Sequence, residues 1–271
     1  MDILSLTEKS KAYNFHSHTQ FCDGHATMAE FAAAAVAEGM EHYGFSPHSP
    51  VPIESPCNMK RQDVPVYMAE VKRLQEMYRN SGTRFYAAME IDYLGDSWGP
   101  SNPYFTSLGL DYAIGSVHFI PNQEGVLVDI DGRFENFKSK MSQFFHDDIR
   151  YVVDTFYAQS RKMIEAGGFE VVGHFDKVGH NAGHYCQDIE LQPWYEQHVH
   201  DLIDLIAEKG LIAELNTKAW ADHRRMFPNT RYLKRVLQRG VPLIVNSDSH
   251  YPHLISAGRA EGFAQLAEAA K

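Results

Sequence analysis

His16 and His18 in NFHSH, and Asp248 and His250 in NSDSH, stand near opposite ends of the chain with the same i, i+2 spacing. On an extended strand that spacing projects two side chains from one face, so each pair can chelate one ion. Between them lie His48 in HSP, Glu90 in MEI, His118 in SVH and His174 in GHFD, mostly where a β-like run gives way to a turn. Imidazole nitrogens and carboxylate oxygens are the donors that hold water-activating divalent ions, and a site with two or more ions needs a carboxylate able to bridge them. Glu90 is the candidate bridge. HxH alone also fits a polar stretch on an exposed strand face; NSDSH, GSVH and GHFD in the same chain favour metal.

The elements that position these residues alternate. Residues 13–18 read as a first strand, and Thr27 with Glu30 forms a capping-box pattern opening an Ala-rich helix that runs to about Gly39. HYGFS, FYAAMEI, LDYAIGSVHFI, FEVVGHF, LIAELN and VPLIVNS supply six more strands. Helical periodicity is expected over 63–80, over a long segment 137–166 stopped by Gly167 and Gly168, over 194–209, 229–239 and 258–270. GDSWGPSNPYF is expected to be a loop that serves as a lid or pocket wall, GHNAGHYCQD a loop, and the segment carrying Asp129 and Asp131 a polar loop. Strand–helix alternation argues for parallel βαβ units, and seven strands point to a closed or nearly closed α/β barrel over residues 1–271 as one domain. In such barrels functional residues sit at the C-terminal ends of the strands, where His16, His18, Glu90, His118, His174, Asp248 and His250 fall.

The charge balance, 25 Lys and Arg against 35 Asp and Glu, argues against broad nucleic-acid binding. A hydrophobic fraction of 44% with 22% charged residues is that of a folded globular chain. Cys22, Cys57 and Cys186 are isolated, so neither a disulfide framework nor a cysteine-rich zinc module is expected. With no apolar leader and no apolar run long enough to span a bilayer, the expected location is cytoplasmic, without membrane contact.

The ordered set HxHT, CDGH, HSP, a strand-end Glu, GSVHF, GHFD and SDSH resembles the PHP phosphoesterase family, and the GSVHF and GHFD spellings resemble its histidinol-phosphatase branch. The likeness runs from about residue 14 to 253. It implies a distorted (β/α)7 barrel of the TIM type with three divalent ions, Zn, Mn or Fe, at the C-terminal face. Carried over by position, one ion takes His16, His18, Glu90 and Asp248, a second shares Glu90 and takes His118 and His174, and a third takes Asp23, His48 and His250. Some members carry His where Asp23 stands here. The implied reaction is hydrolysis of a phosphate monoester, L-histidinol phosphate in histidine biosynthesis, by in-line attack of a metal-held hydroxide. Competing readings are a PHP phosphoesterase for sugar phosphates or nucleotides, an amidohydrolase-type C–N hydrolase and a non-catalytic metal-binding module.

Several residues carry two readings. Asp23 is a ligand or part of an ordinary CDGH turn; His48 is a ligand or a loop residue. Lys177, Arg224 and Arg225 are phosphate contacts or solvated surface charges, and the glycine and arginine that the family resemblance leads one to expect after the NT pair are replaced by KAWADHRR. Glu54, Asp92 and Asp129 are available to an ammonium on the substrate. Cys22 reads as a packed neighbour of the site. His180 and His184 read as loop residues or substrate contacts, because the flanking glycines argue against the helix that would align them. His198 and His200 face different directions on a helix and have no expected role, nor do His25, His42, His146, His223 and His253.

Overall fold

Short apolar runs ending in polar turns become parallel strands here, and the amphipathic segments between them become the helices that cover those strands. The computed structural model describes residues 1–271. The order is α1 (Ile3–Lys9), β1 (Tyr13–Asn14), α2 (Met28–Ala37), β2 (His42–Phe45), α3 (Val64–Met77), β3 (Arg84–Asp92), α4 (Pro103–Thr106), β4 (Tyr112–Ser116), β5 (Phe119–Pro121) and β6 (Leu127–Asp129). Then follow α5 (Phe134–Phe144), α6 (Ile149–Ala166), β7 (Val171–Val172), α7 (Val178–Tyr185), α8 (Pro193–Lys209), β8 (Ile212–Asn216), α9 (Trp220–His223), α10 (Leu233–Gln238), β9 (Leu243–Asn246) and α11 (Arg259–Ala269). Seven strands pair in the order β1-β2-β3-β4-β7-β8-β9, every neighbour parallel. β1 meets β9 through a parallel bridge between Ser17 and Ser249, with the His18 amide donating to the Ser249 carbonyl at 2.8 Å. The chain is thus a distorted (β/α)7 barrel of the TIM type.

The distortion has a visible cause. The strand expected over 13–18 is regular only at Tyr13–Asn14, because side-chain amides replace ladder bonds along the closing seam. Asn246 Oδ1 accepts from the Phe15 amide, and Asn14 Oδ1 from the Ser247 amide, each at 2.9 Å. Beneath the site, Phe15, Ala88, Tyr112, Ile114, Val171, Ile212 and Ile244 from six of the strands and their ends pack together with Ile3 of α1. A larger buried cluster, including Phe31, Tyr67, Leu74, Val152, Tyr157, Leu202 and Ile206, joins the helices to the sheet.

Three segments differ from expectation. The helix expected over 137–166 is two helices, broken where His146 and Asp147 take φ of 51° and 58° and Asp148 caps α6 by accepting from the Tyr151 amide at 3.0 Å. The polar loop after His118 contains the antiparallel hairpin β5–β6. GHNAGHYCQD is helical over Val178–Tyr185. Its glycines serve packing: a Cβ on Gly179 would stand 2.3 Å from Tyr195 Oη and 2.6 Å from Glu190 Oε1, so only glycine lets α7 approach α8 this closely. The capping box at Thr27, the stop at Gly167 and the left-handed Gly210 closing α8 are as expected.

Candidate metal centre

All nine residues expected as ligands converge at the C-terminal mouth of the barrel. Glu90, two residues before the end of β3, lies at the centre. Its Oε2 stands 3.3 Å from His16 Nε2, 3.5 Å from His18 Nε2 and 3.0 Å from His48 Nδ1. Its Oε1 stands 2.8 Å from His174 Nε2 and 3.4 Å from His118 Nε2. Asp248 Oδ1 lies 3.0 Å from His18 Nε2 and 3.8 Å from His16 Nε2. Asp23 reaches His18, His48 and His250 at 3.6, 3.8 and 3.4 Å.

CDGH does form a tight turn, and that turn is what brings the Asp23 carboxylate to the cluster. The Cys22 and Gly24 amides both donate to the Thr19 carbonyl, and a Cβ on Gly24 would lie 2.3 Å from the Thr19 nitrogen. That tight fold-back sets Asp23 beside His18. Cys22 packs there as well, its Sγ 3.5 Å from His18 Nδ1, and burial pushes its thiol up to about 12, so it is a neutral neighbour.

The donor set fits divalent ions on a feature of the protein itself. His16 Nε2, His18 Nε2, Asp23 Oδ1, His48 Nδ1 and Glu90 Oε2 are buried, face one another and make no hydrogen bond. A buried polar atom left without a partner costs roughly 1–3 kcal/mol, so such a convergence persists where another partner satisfies it. Donor atoms cluster within 4.8 Å in overlapping sets: His18, Asp23, His48 and His250; His16, His18 and Glu90; His48, Glu90 and His118; His16, His174 and Asp248. The partition is thus less tidy than the family resemblance implies. His18 adjoins the third set as closely as the first, and His16 links the first set to His174. Asp248 and His174 have φ of 48° and 20°, and such backbone in non-glycine residues carries strain of order 1–3 kcal/mol that clusters at functional sites.

The charges interlock. Burial raises the carboxyls of Glu90 and Asp248, but the imidazoles of His16, His118 and His48 hold Glu90 well below the usual range, and Lys218 with His16 does the same for Asp248. Burial and the rings of His250 and His48 hold His18 well below its ordinary value, leaving it a neutral donor. Without an ion, Glu214, Asp248 and Glu90 outweigh burial at His16 and keep it well above the ordinary imidazole value.

Sequence reasoning missed the residues that hold these imidazoles in place. Glu214 of β8, fully buried, accepts from His16 Nδ1 at 2.7 Å and from the His174 amide at 3.1 Å. Asp92, expected near a substrate ammonium, instead bonds His118 Nδ1 at 2.7 Å and accepts from Asn58 Nδ2 at 2.9 Å. Each carboxylate fixes a ring tautomer and turns the opposite nitrogen toward the centre, as the outer partners of metal-binding histidines do.

A cavity of about 230 Å³ opens onto the cluster, lined by Asp23, His48, His118, Asp129, Asp131, Lys218 and His250 among others. Lys218, in the KAWADHRR segment, brings its Nζ to 3.4 Å from Asp248 Oδ1 and 3.2 Å from His250 Nε2. Arg225 is elsewhere, bound to both Glu190 oxygens at 2.8 Å and to Asp176 at 3.2 Å, and Arg224 is exposed over the Trp220 ring. Neither lines this cavity. Lys177 Nζ is 2.7 Å from Asp131 Oδ2, so it abuts the cavity wall through that carboxylate. Glu54 lines a separate exposed cleft, and GDSWGPSNPYF contributes nothing to the wall because Trp98 stacks on Tyr104 and donates to the Pro50 carbonyl. Asp129 does line the cavity, with Lys140 Nζ at 3.0 Å.

A parallel barrel whose strand ends gather imidazoles around one carboxylate defines a class of metal-site barrels, and the comparisons narrow it. Residues 14–218 match the PHP domain family, and the chain belongs to it. It is 28% identical over 250 residues to "Probable histidinol-phosphatase" of Deinococcus radiodurans, covering 88% of this chain and 85% of that protein. It is 24% identical over 258 residues to the protein of the same name from Schizosaccharomyces pombe, covering 89% and 81%. Among solved structures, hisK of Listeria monocytogenes superposes with a TM-score of 0.81 at 18% identity, covering 92% of this chain and 99% of that one. A histidinol phosphate phosphatase from Lactococcus lactis, complexed with zinc, L-histidinol and phosphate, superposes at 0.70 with 17% identity, covering 96% and 94%.

Proposed function

We propose that this PHP protein is a phosphoric monoester hydrolase that converts L-histidinol phosphate and water to L-histidinol and phosphate, as a step of histidine biosynthesis. The observation that carries it is the buried cage of unpartnered donors around Glu90, opening onto a small polar cavity that holds a lysine. The relatives by sequence bear histidinol-phosphatase names, which supports the substrate. His16, His18, Asp23, His48, Glu90, His118, His174, Asp248 and His250 would hold three divalent ions, zinc, manganese or iron, with Glu90 common to two of the sets. Hard and borderline N/O donors without a thiolate suit those ions alike. Bound there, the ions supply Lewis-acid charge and water activation to phosphoryl transfer.

The protein's own groups do the rest. Glu214 and Asp92 keep the proton of His16 and His118 on Nδ1. Lys218 places a cation on the cavity wall for a phosphate oxygen, the role expected of Lys177, Arg224 and Arg225. Asp129 and Asp131, paired with Lys140 and Lys177, each keep carboxylate oxygens on the cavity wall that can accept from an ammonium such as histidinol carries. We read residues 1–271 as one domain, which is supported by β9, beyond the matched stretch, closing the barrel and preceding Asp248 and His250. No helix is long and apolar enough to cross a membrane.

The test is phosphate release from L-histidinol phosphate beside sugar phosphates, nucleotides and an aryl phosphate. The expected result is a preference for histidinol phosphate that chelator abolishes. Metal-dependent release from the other esters alone would transfer the function to them, and no release from any would overturn phosphatase activity.

A further inference from the structure

We propose that His180, His184 and His223 form a separate site for one transition-metal dication of the zinc class, outside the Glu90 cage. α7 places His180 and His184 four residues apart on one helical face, their ring centroids 4.7 Å apart. His223, the last residue of α9, brings its ring to 4.6 Å from that of His180 and 6.2 Å from that of His184. One donor nitrogen from each lies within 4.8 Å of the other two. Tetrahedral zinc with Zn–N bonds of about 2.0–2.1 Å sets its ligand nitrogens about 3.3 Å apart. Closing that gap takes small side-chain rotations, which the exposed His223 can make.

The surroundings suit a cation. His184 Nδ1 donates to the His180 carbonyl at 2.7 Å, which leaves Nε2 as the lone pair, the orientation that outer hydrogen bonds give a metal-binding imidazole. Burial, with His184 and His223 beside it, holds His180 down at about 4, so its ring is neutral near pH 7. The nearby charge of Arg225 is taken up by Glu190 and Asp176. The three rings line a cavity of about 510 Å³ in which the carboxylates Asp131, Glu135 and Asp222 match the cations Arg133, Lys177 and Lys218 in number, and that cavity shares Asp131 and Lys218 with the mouth of the Glu90 site. Three imidazoles with an open side toward this space leave coordination positions for water or a ligand.

The test titrates zinc into the holoenzyme with the Glu90 cage already loaded, and counts bound metal per chain after gel filtration. The wild type is expected to hold one further zinc, His223→Gln to hold it at least about tenfold more weakly, and His184→Gln/His223→Gln not to hold it, with hydrolysis by the loaded enzyme unchanged in both. Should the double variant fail to fold, His223→Gln alone keeps the comparison valid. Equal zinc binding by wild type and variants, or no further zinc in the wild type, would overturn the proposal.

Discussion

Replacing Glu214 by glutamine removes one charge and almost no volume, yet it should loosen the metal centre more than any exposed change. Four donors converge on this carboxylate: His16 Nδ1 at 2.7 Å and Asn246 Nδ2 at 3.0 Å on Oε1, and the His174 amide and Asn216 Nδ2, both at 3.1 Å, on Oε2. A glutamine serves only one pair. With its amide nitrogen in the Oε2 position it faces a backbone N–H that cannot reverse and an Asn216 amide also held by Asp248. With its nitrogen in the Oε1 position His16 must accept on Nδ1, which moves its proton to Nε2 and blocks the nitrogen that faces Glu90. Flipping Asn246 would break its bond to the Phe15 amide. Either arrangement leaves a buried donor unpaired at about 1–3 kcal/mol. Loss of an outer partner of this kind lowers metal affinity roughly 10–100-fold, about 1.4–2.7 kcal/mol. Competition dialysis against a chelator, with metal counted per chain, should show that loss, and excess metal should restore much of the activity. A Glu214→Gln protein that binds metal as tightly as wild type would refute the role given to this residue.

Glu90→Gln, which removes the central carboxylate, should lose at least one metal per chain and about a hundredfold or more in kcat/KM, read by elemental analysis and phosphate release. Lys218→Ala should lower kcat/KM by about 10–150-fold, the worth of a charged hydrogen bond of about 1.5–3 kcal/mol, whereas Arg225→Ala should chiefly reduce the unfolding midpoint by stranding Glu190 and Asp176. Burial pushes the Asp176 carboxyl up to about 6 against the pull of Arg225, so the folded state holds its proton more tightly than the unfolded chain does. Stability from this group therefore falls as pH rises from about 4 to 6, by about 3 kcal/mol in all. Denaturant unfolding of wild type against Asp176→Asn should reveal a difference that changes by that order across the window; a difference independent of pH would contradict it.

The convergence of these nine residues was legible because type and place agreed. HSH and SDSH carry the right atoms, and a parallel strand that ends in a turn is where a barrel gathers them. Glu214 was legible only in part. In LIAELN it sits in register with Ile212 and Asn216 and between Ala213 and Leu215, so a carboxylate on the inward face of a barrel strand was the available signal. What separates Lys218 from the two arginines as cations near the cavity is distance along the chain. Lys218 lies two residues beyond β8, at the strand end, whereas Arg224 and Arg225 follow α9, which carries them away. Glycine penalties spoke against a helix at GHNAGH, and what outweighed them, the close approach of Tyr195 and Glu190, is a tertiary fact that local propensity does not contain. The break before α6 was nearer to hand, since Asp148 in FHDDI is a cap residue with a helix start behind it.

The most direct measurement is phosphate release from L-histidinol phosphate by the metal-stripped chain as a divalent ion is returned in known equivalents. Activity should be absent at zero and rise to a plateau as three ions per chain fill the Glu90 cage, with the same titration of Glu90→Gln staying flat. Full activity without metal, or none at full occupancy of the cage, would contradict the account.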